Sequence, residues 1–246
     1  KGKVRIFNIF KNHYLKSGEP IVSVTGNLGK FKIDLRSFEW IYFCTKSYDE
    51  KLMKWALSEI DSDKTSLDVG ANIGFWSIGI GQKIRRSNGT GRVISVEAHP
   101  ENFARLKENI KLNGLEDIIT AYHIAFSDTK GVLDLVLRED FENGAETGNA
   151  SISVETLFDK DFTTISVNSD TADSFLLELG VENLAFIKVD IEGHEDYFLR
   201  GARKSLQRYQ PSVLMEVNQA FYRAREKHDI LEFFNFVFKG WLFYDG

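Results

Sequence analysis

The chain has one cysteine, three prolines and no long apolar run, and each shortage removes a class of protein. Cys44 is alone, so no internal disulfide can form, and a reducing, cytoplasmic setting is expected. No apolar stretch approaches the roughly 18 residues of a membrane-spanning helix. Pro20, Pro100 and Pro211 are never adjacent, so the Asp/Asn-Pro-Pro-aromatic tetrapeptide of many enzymes that methylate nucleobase amines is missing. Neither a G-x-S-x-G elbow nor a P-loop occurs. Lys and Arg are scattered and the net charge is −5, so there is no basic face for a nucleic acid. Arg223, Arg225 and Lys227 read as a solvated helix face.

What remains suits one domain with a sizeable core: 246 residues, 43% of them hydrophobic. The chain opens at Lys1 without a methionine and stops at Gly246 after a strand-like run, which suggests an excised domain. Residues 1–47 read as a strand-rich extension or cap, and 48–246 as the main domain. Ile21–Val24 and Phe31–Leu35 flank Gly26-Asn-Leu-Gly29 as a hairpin. Tyr48, Leu52, Trp55, Ala56 and Ile60 recur at helical spacing.

From Ser66 strands and helices alternate, predicting a mostly parallel α/β sheet flanked by helices. Expected strands are Thr65–Asp68, Arg92–Glu97, Ile118–Ala125, Leu184–Asp190 and Ser212–Asn218. Extra strands, Val132–Leu137, Ala150–Val154 and Thr163–Val167, follow the third around a polar loop, Arg138–Asn149. Helices carry Phe103, Leu106 and Ile110, then Phe198, Leu199, Ala202 and Leu206, then Ile230, Leu231, Phe234 and Phe238 before Trp241–Tyr244. The aromatic tail (Phe233, Phe234, Phe236, Phe238, Trp241) reads first as core and second as a homo-oligomer interface.

The most telling stretch is Asp68-Val-Gly-Ala-Asn-Ile-Gly74, a carboxylate before a glycine turn, followed by Phe75-Trp-Ser-Ile at a helix start. Strand, glycine turn and helix make a nucleotide pocket in which glycine lets a ligand approach the backbone. A dinucleotide site spaces its glycines G-x-G-x-x-G and offers a helix N-terminus to pyrophosphate. That spacing is absent, and Asp68 repels phosphate: two like charges ~4 Å apart cost roughly 4 kcal/mol at an effective dielectric near 20. The same carboxylate favours a ligand bearing an ammonium and a sulfonium, so S-adenosylmethionine fits and NAD fits poorly.

Glu97 ends the second strand and is placed to accept from two ribose hydroxyls. Ser127-Asp128, after the third strand, lies where an adenine edge would sit, although Ser-Asp-Thr-Lys-Gly is also an ordinary turn sequence. Lys188-Val-Asp190-Ile-Glu192-Gly193-His194-Glu195 puts residues 188, 190 and 192 on one side of an extended strand, facing the crevice. The competing reading is an ion pair of Lys188 with Asp190 or Glu192, plus helix-start acids Glu195 and Asp196. Asp190, Glu192 and His194 are also possible cation ligands, but no spacing demands a metal and none is expected. His13, His99, His123 and His228 read as ordinary residues.

Together, Asp68-Val-Gly-Ala-Asn-Ile-Gly, Val96-Glu-Ala-His-Pro, Ala125-Phe-Ser-Asp128, Ile187–Glu195 and Leu214-Met-Glu-Val-Asn resemble the FkbM family of methyltransferases. The likeness spans roughly Tyr48 to Gly246, in the same order and with the extra strands; the family's frequent Glu-Pro is here Glu97-Ala98. The resemblance implies a class I, Rossmann-like fold, S-adenosylmethionine as cofactor, and methylation of a hydroxyl on a sugar, glycan or other natural product. By position it implies Asp68, Gly70, Asn72 and Gly74 at the methionine part, Glu97 at the ribose, and Ser127 and Asp128 at the adenine side. Ala71, Phe75, Ala98 and Asp190 complete the cofactor-binding set, and Asp190 with Glu192 would sit by the reacting centre. Asp190 is the first choice of base and His194 the second, with Lys188 orienting the carboxylates. An NAD-dependent oxidoreductase and a non-catalytic cofactor-fold interaction domain are the rivals.

Overall fold

A computed structural model of the chain describes residues 16, 18, 21–36, 50–137, 150–152, 163–217, 234, 237 and 238. The predicted polar loop 138–149, the basic run 223–227, the tail 241–244, and Cys44, Tyr48, Pro20, His13, His228, Ile230, Leu231, Phe233 and Phe236 fall outside them.

Among the described residues the centre is a five-stranded parallel sheet in the order β11-β10-β3-β4-β5, built from Ser212–Met215, Phe186–Val189, Ser66–Val69, Val93–Glu97 and Ile119–His123 respectively. Every residue of β3, β4 and β10 is buried, as expected of parallel strands covered on both faces. The chain winds outward from β3 to β5 on one side, then returns to lay β10 and β11 on the other. The switch point therefore lies between β3 and β10, and the carboxyl ends of such strands are where folds of this kind bind their ligands. This is a Rossmann-like α/β fold.

Helices fill both faces. On one, α1 (Glu50–Glu59), α2 (Phe75–Arg86) and α3 (Pro100–Leu112) bury Met53, Ile78, Leu106 and Ile110. The antiparallel hairpin β1 (Ile21–Thr25) and β2 (Lys30–Asp34) joins the same core through Phe31 and Ile33. On the other face, α4 (Ala172–Glu178), α5 (Glu195–Gly201) and α6 (Arg203–Tyr209) pack Leu176, Phe198 and Leu206 with Phe234 and Phe238. The predicted extra strands form a second sheet in the order β6-β9-β7-β8, from Ala125–Phe126, Thr163–Asp170, Gly131–Leu137 and Ala150–Ile152.

Four expectations are corrected. The strand foreseen over 118–125 is two: after Ile124, Ala125 and Phe126 leave the parallel sheet and pair with Ser169 and Asp170 of β9. The helix foreseen through Phe198 and Leu206 breaks at Ala202, because Asp173 of α4 caps the backbone N–H groups of Lys204 (2.9 Å) and Ser205 (2.7 Å) and so starts a new helix. Trp55 is 46% exposed, and Met53 takes the inward place on α1. The charged strand row stops early: β10 ends at Val189, and Glu192 (φ +50°) and Gly193 (φ +96°) turn the chain away. Helix α4 was not foreseen, although Thr171, whose side chain accepts the Ser174 N–H at 3.1 Å, is a legible N-cap.

Candidate active site

The glycine turn between β3 and α2 is fixed from outside by backbone bonds. The Gly70 and Ala71 N–H groups both donate to the Val96 carbonyl, at 2.9 and 3.0 Å. Gly70 has φ +75°, and a Cβ there would lie 1.9 Å from the Asp190 carbonyl oxygen, so the two loops touch through a position only glycine fills. At Gly74 (φ +99°) a Cβ would meet Leu106 at 2.8 Å. Asn72 is held at φ +50° or so (φ 49), a conformation that costs a non-glycine residue about 1–3 kcal/mol and persists where the surroundings impose it. Phe75 opens α2 with its ring 4.8 Å from that of Phe31.

Asp68 is fully buried on β3. Its Oδ2 accepts the Ser77 hydroxyl at 2.5 Å, and with that proton spent, Ser95 donates to the Ser77 oxygen at 2.7 Å. Asp68 Oδ1 and Asn72 Oδ1 are buried acceptors with no hydrogen-bond partner. Glu97, at the end of β4, takes the Asn72 N–H on Oε2 and the His99 N–H on Oε1, each at 2.8 Å. Burial pushes the Glu97 carboxyl up to about 7, against the pull of those two N–H groups. Burial likewise raises Asp68, opposed by Lys188 and Ser77. Ala98 follows, its carbonyl 2.9 Å from His123 Nε2. Burial and Arg105 bring the His99 imidazole down to about 4, so it is neutral.

Across the switch point, Lys188 pairs in register with Asp68. Its Nζ donates to Asp190 Oδ2 at 3.1 Å and to the Gly70 carbonyl at 3.4 Å. Burial alone would lower this ammonium; Asp190 and Asp68 outweigh it, and the net shift is upward. The Lys188 side chain is 7% exposed and that of Asp190 23%, so the aspartate is the part of the pair that meets solvent. Glu195, at the start of α5, accepts the Gly193 N–H at 2.9 Å, and burial pushes it up to about 7. His194 is 3% exposed, stacks on Tyr197 at 4.4 Å and meets the Ser127 hydroxyl at 3.1 Å through Nε2. The Ser127 hydroxyl is also 3.3 Å from Asp128 Oδ1.

The structure thus gathers Asp68, Gly70, Asn72, Glu97, Lys188 and Asp190 at the carboxyl ends of β3, β4 and β10, and links Ser127 to both Asp128 and His194. Among the described residues no group of three or more His, Cys, Asp or Glu gathers to hold a metal ion. Asn109 was missed by sequence reasoning. It is fully buried on α3 and donates through Nδ2 to the Ile73 carbonyl at 2.9 Å. Its signal was an asparagine on the apolar stripe of Leu106 and Ile110, with Asn113 one turn on.

The profile of the methyltransferase FkbM domain matches residues 68–239, well over half of the chain. The chain belongs to the FkbM methyltransferase family. It is therefore an S-adenosylmethionine-dependent methyltransferase of class I fold, and the nicotinamide reading falls. No curated protein matches the chain in sequence. Solved structures resemble it distantly. A precorrin-6y C5,15-methyltransferase from Geobacter metallireducens is 13% identical, at a TM-score of 0.44 with 77% of this chain and 72% of that one covered. M. jannaschii TYW2 in complex with AdoMet is 16% identical, at 0.34 with 61% and 84% covered. A SAH-bound Podospora anserina methyltransferase is 13% identical, at 0.37 with 74% and 58% covered.

Proposed function

We propose that this FkbM methyltransferase methylates a hydroxyl group of a sugar, glycan or other natural product, with Asp190 as the base. The observation carrying this reading is the Lys188–Asp190 pair at the mouth of the switch point, a partly exposed carboxylate anchored by a buried ammonium. The residues fit the cofactor. Asp68 and Asn72 each present a buried oxygen in want of a donor, and Asp68, Glu97 and Asp190 outnumber the cation Lys188. Such a set suits an ammonium and a sulfonium. Asp68, Gly70, Ala71, Asn72, Gly74 and Phe75 would hold the methionine part, Glu97 and Ala98 the ribose, and Ser127 with Asp128 the adenine side. When bound, S-adenosylmethionine would supply a methyl carbon from which an attacking oxygen displaces the sulfur as a neutral thioether.

The chain's own work is alignment and proton removal. Lys188 occupies Asp190 Oδ2, so Oδ1 is the oxygen left to take the proton of the acceptor hydroxyl. Glu192 lies two residues on, in the turn that the acceptor would approach. His194, buried against Ser127 and Tyr197, fits a structural role better than that of the base. Residues 48–246 form the methyltransferase domain in this reading.

Replacing Asp190 with Asn should lower turnover by about a hundredfold or more and leave S-adenosylhomocysteine binding within about twofold. The assay is a screen of hydroxylated acceptors with isotopically labelled cofactor, label being read in the product by mass spectrometry. Undiminished label transfer by Asp190→Asn would remove Asp190 from the mechanism. Label found only on nitrogen would overturn the hydroxyl acceptor.

A further inference from the structure

Resting on the reading of the glycine turn as the cofactor cradle, we propose that Asn109 is a positioning residue that joins this turn to the N-terminal hairpin, making residues 21–36 part of the cradle. Three observations carry this. The Asn109 carboxamide is fully buried and engaged at both ends: Nδ2 donates to the Ile73 carbonyl at 2.9 Å, inside the glycine turn, while Oδ1 accepts the Lys32 N–H of β2 at 2.7 Å. One helical turn on, Asn113 repeats the hairpin half of the pattern, accepting the Lys30 N–H at 2.9 Å and donating to the Lys30 carbonyl at 2.7 Å. Helix α3 therefore presents two amides to the backbone of β2 much as a neighbouring strand would, and only Asn109 reaches beyond the hairpin to the turn. Independently, Phe31 of β2 lies against Phe75, the first residue after the turn.

The consequence is mechanical. Ile73 sits between Asn72, whose N–H is held by Glu97, and Gly74, and its carbonyl has a fixed donor on α3. The same amide that fixes the turn is fixed by the hairpin, so ordering one orders the other. A second sphere of this kind keeps binding groups within a fraction of an ångström of a productive geometry.

Aspartate at 109 keeps an acceptor for Lys32 but sets a second acceptor against the Ile73 carbonyl. Asn109→Asp should weaken S-adenosylhomocysteine binding by about tenfold, measured by calorimetry. Asn113→Asp, which disturbs the Lys30 contact and the bond from Asn113 Nδ2 to the Asn109 backbone carbonyl (2.7 Å) but leaves the Ile73 carbonyl its donor, should leave affinity within about twofold even where it lowers the melting temperature. Equal effects of the two variants on affinity would overturn the proposal. Hydrogen exchange on the unaltered protein needs no variant to fold. Added S-adenosylhomocysteine should slow exchange both at residues 69–76 and at 30–35. Slowing at 69–76 alone would refute the coupling and leave the cofactor site standing. Slowing at neither would refute the cofactor site and this proposal with it.

Discussion

The two loops that meet at the switch point are built from different materials. The turn after β3 is a backbone object: Gly70 and Ala71 lean on the Val96 carbonyl, Asn72 on Glu97 and Ile73 on Asn109. The loop after β10 is held by side chains and charge, with Lys188 on Asp190, Glu195 on the Gly193 N–H and His194 on Ser127. They touch where Gly70 faces the Asp190 carbonyl. The first loop has no room for a Cβ at Gly70, whereas the second is organised by the Lys188–Asp190 ion pair. Shape is thus set by one loop and reactivity by the other.

The sharpest way to break this contrast is to add one carbon to the rigid loop. Gly70→Ala forces a Cβ into the Asp190 carbonyl from a φ of +75°, and should cost on the order of 4 kcal/mol in denaturant unfolding. A loss below about 1 kcal/mol would mean that the turn yields. Next, Lys188→Met removes the ammonium and leaves Asp68 buried without its compensating charge. A cost of about 3 kcal/mol is expected, with S-adenosylhomocysteine binding lost in parallel. A neutral result would show that the charges across the two loops are independent.

The smallest effect is a pH signature. Glu97 has its carboxyl raised from the ordinary 4.5 to about 7 by burial, so the folded state binds a proton that the unfolded state has already released. Its contribution to stability is full below about pH 4.5, falls as pH rises between these values, and is gone above about 7. Glu195, raised to about 7, adds a slope of the same sign. Glu97→Gln should flatten part of this decline, read as the difference in unfolding free energy between pH 5 and 7.5 for the two proteins. If Glu97 holds the ribose, its ionised form is the stronger acceptor, so affinity for S-adenosylhomocysteine should rise over the window in which stability falls. The same stability slope in Glu97→Gln as in the unaltered protein would remove Glu97 from the pH dependence, and an affinity that does not change with pH would count against its ribose role.

The same division explains what could be read in the sequence. The parallel strands were legible because burial on both faces leaves near-continuous apolar runs, as in Val93–Val96 and Phe186–Val189. The glycine turn was legible because positive φ and close approach restrict the residue type at Gly70 and Gly74. Asp190 and Lys188 stood out as charges ending an apolar strand. What escaped depended on partners distant in sequence. The break at Ala202 needs Asp173, the departure of Ala125–Phe126 needs β9, and the role of Asn109 needs a hairpin 77 residues upstream. Asp68 Oδ2 is committed to Ser77, a contact set by the helix that follows, which leaves Oδ1 as its oxygen without a partner.

A crystal structure with S-adenosylhomocysteine bound tests the central claim most directly. Ribose hydroxyls are expected within hydrogen-bond distance of Glu97, the amino-acid end against residues 70–74, and the sulfur facing Asp190. Density for the ligand in any other part of the molecule would contradict it.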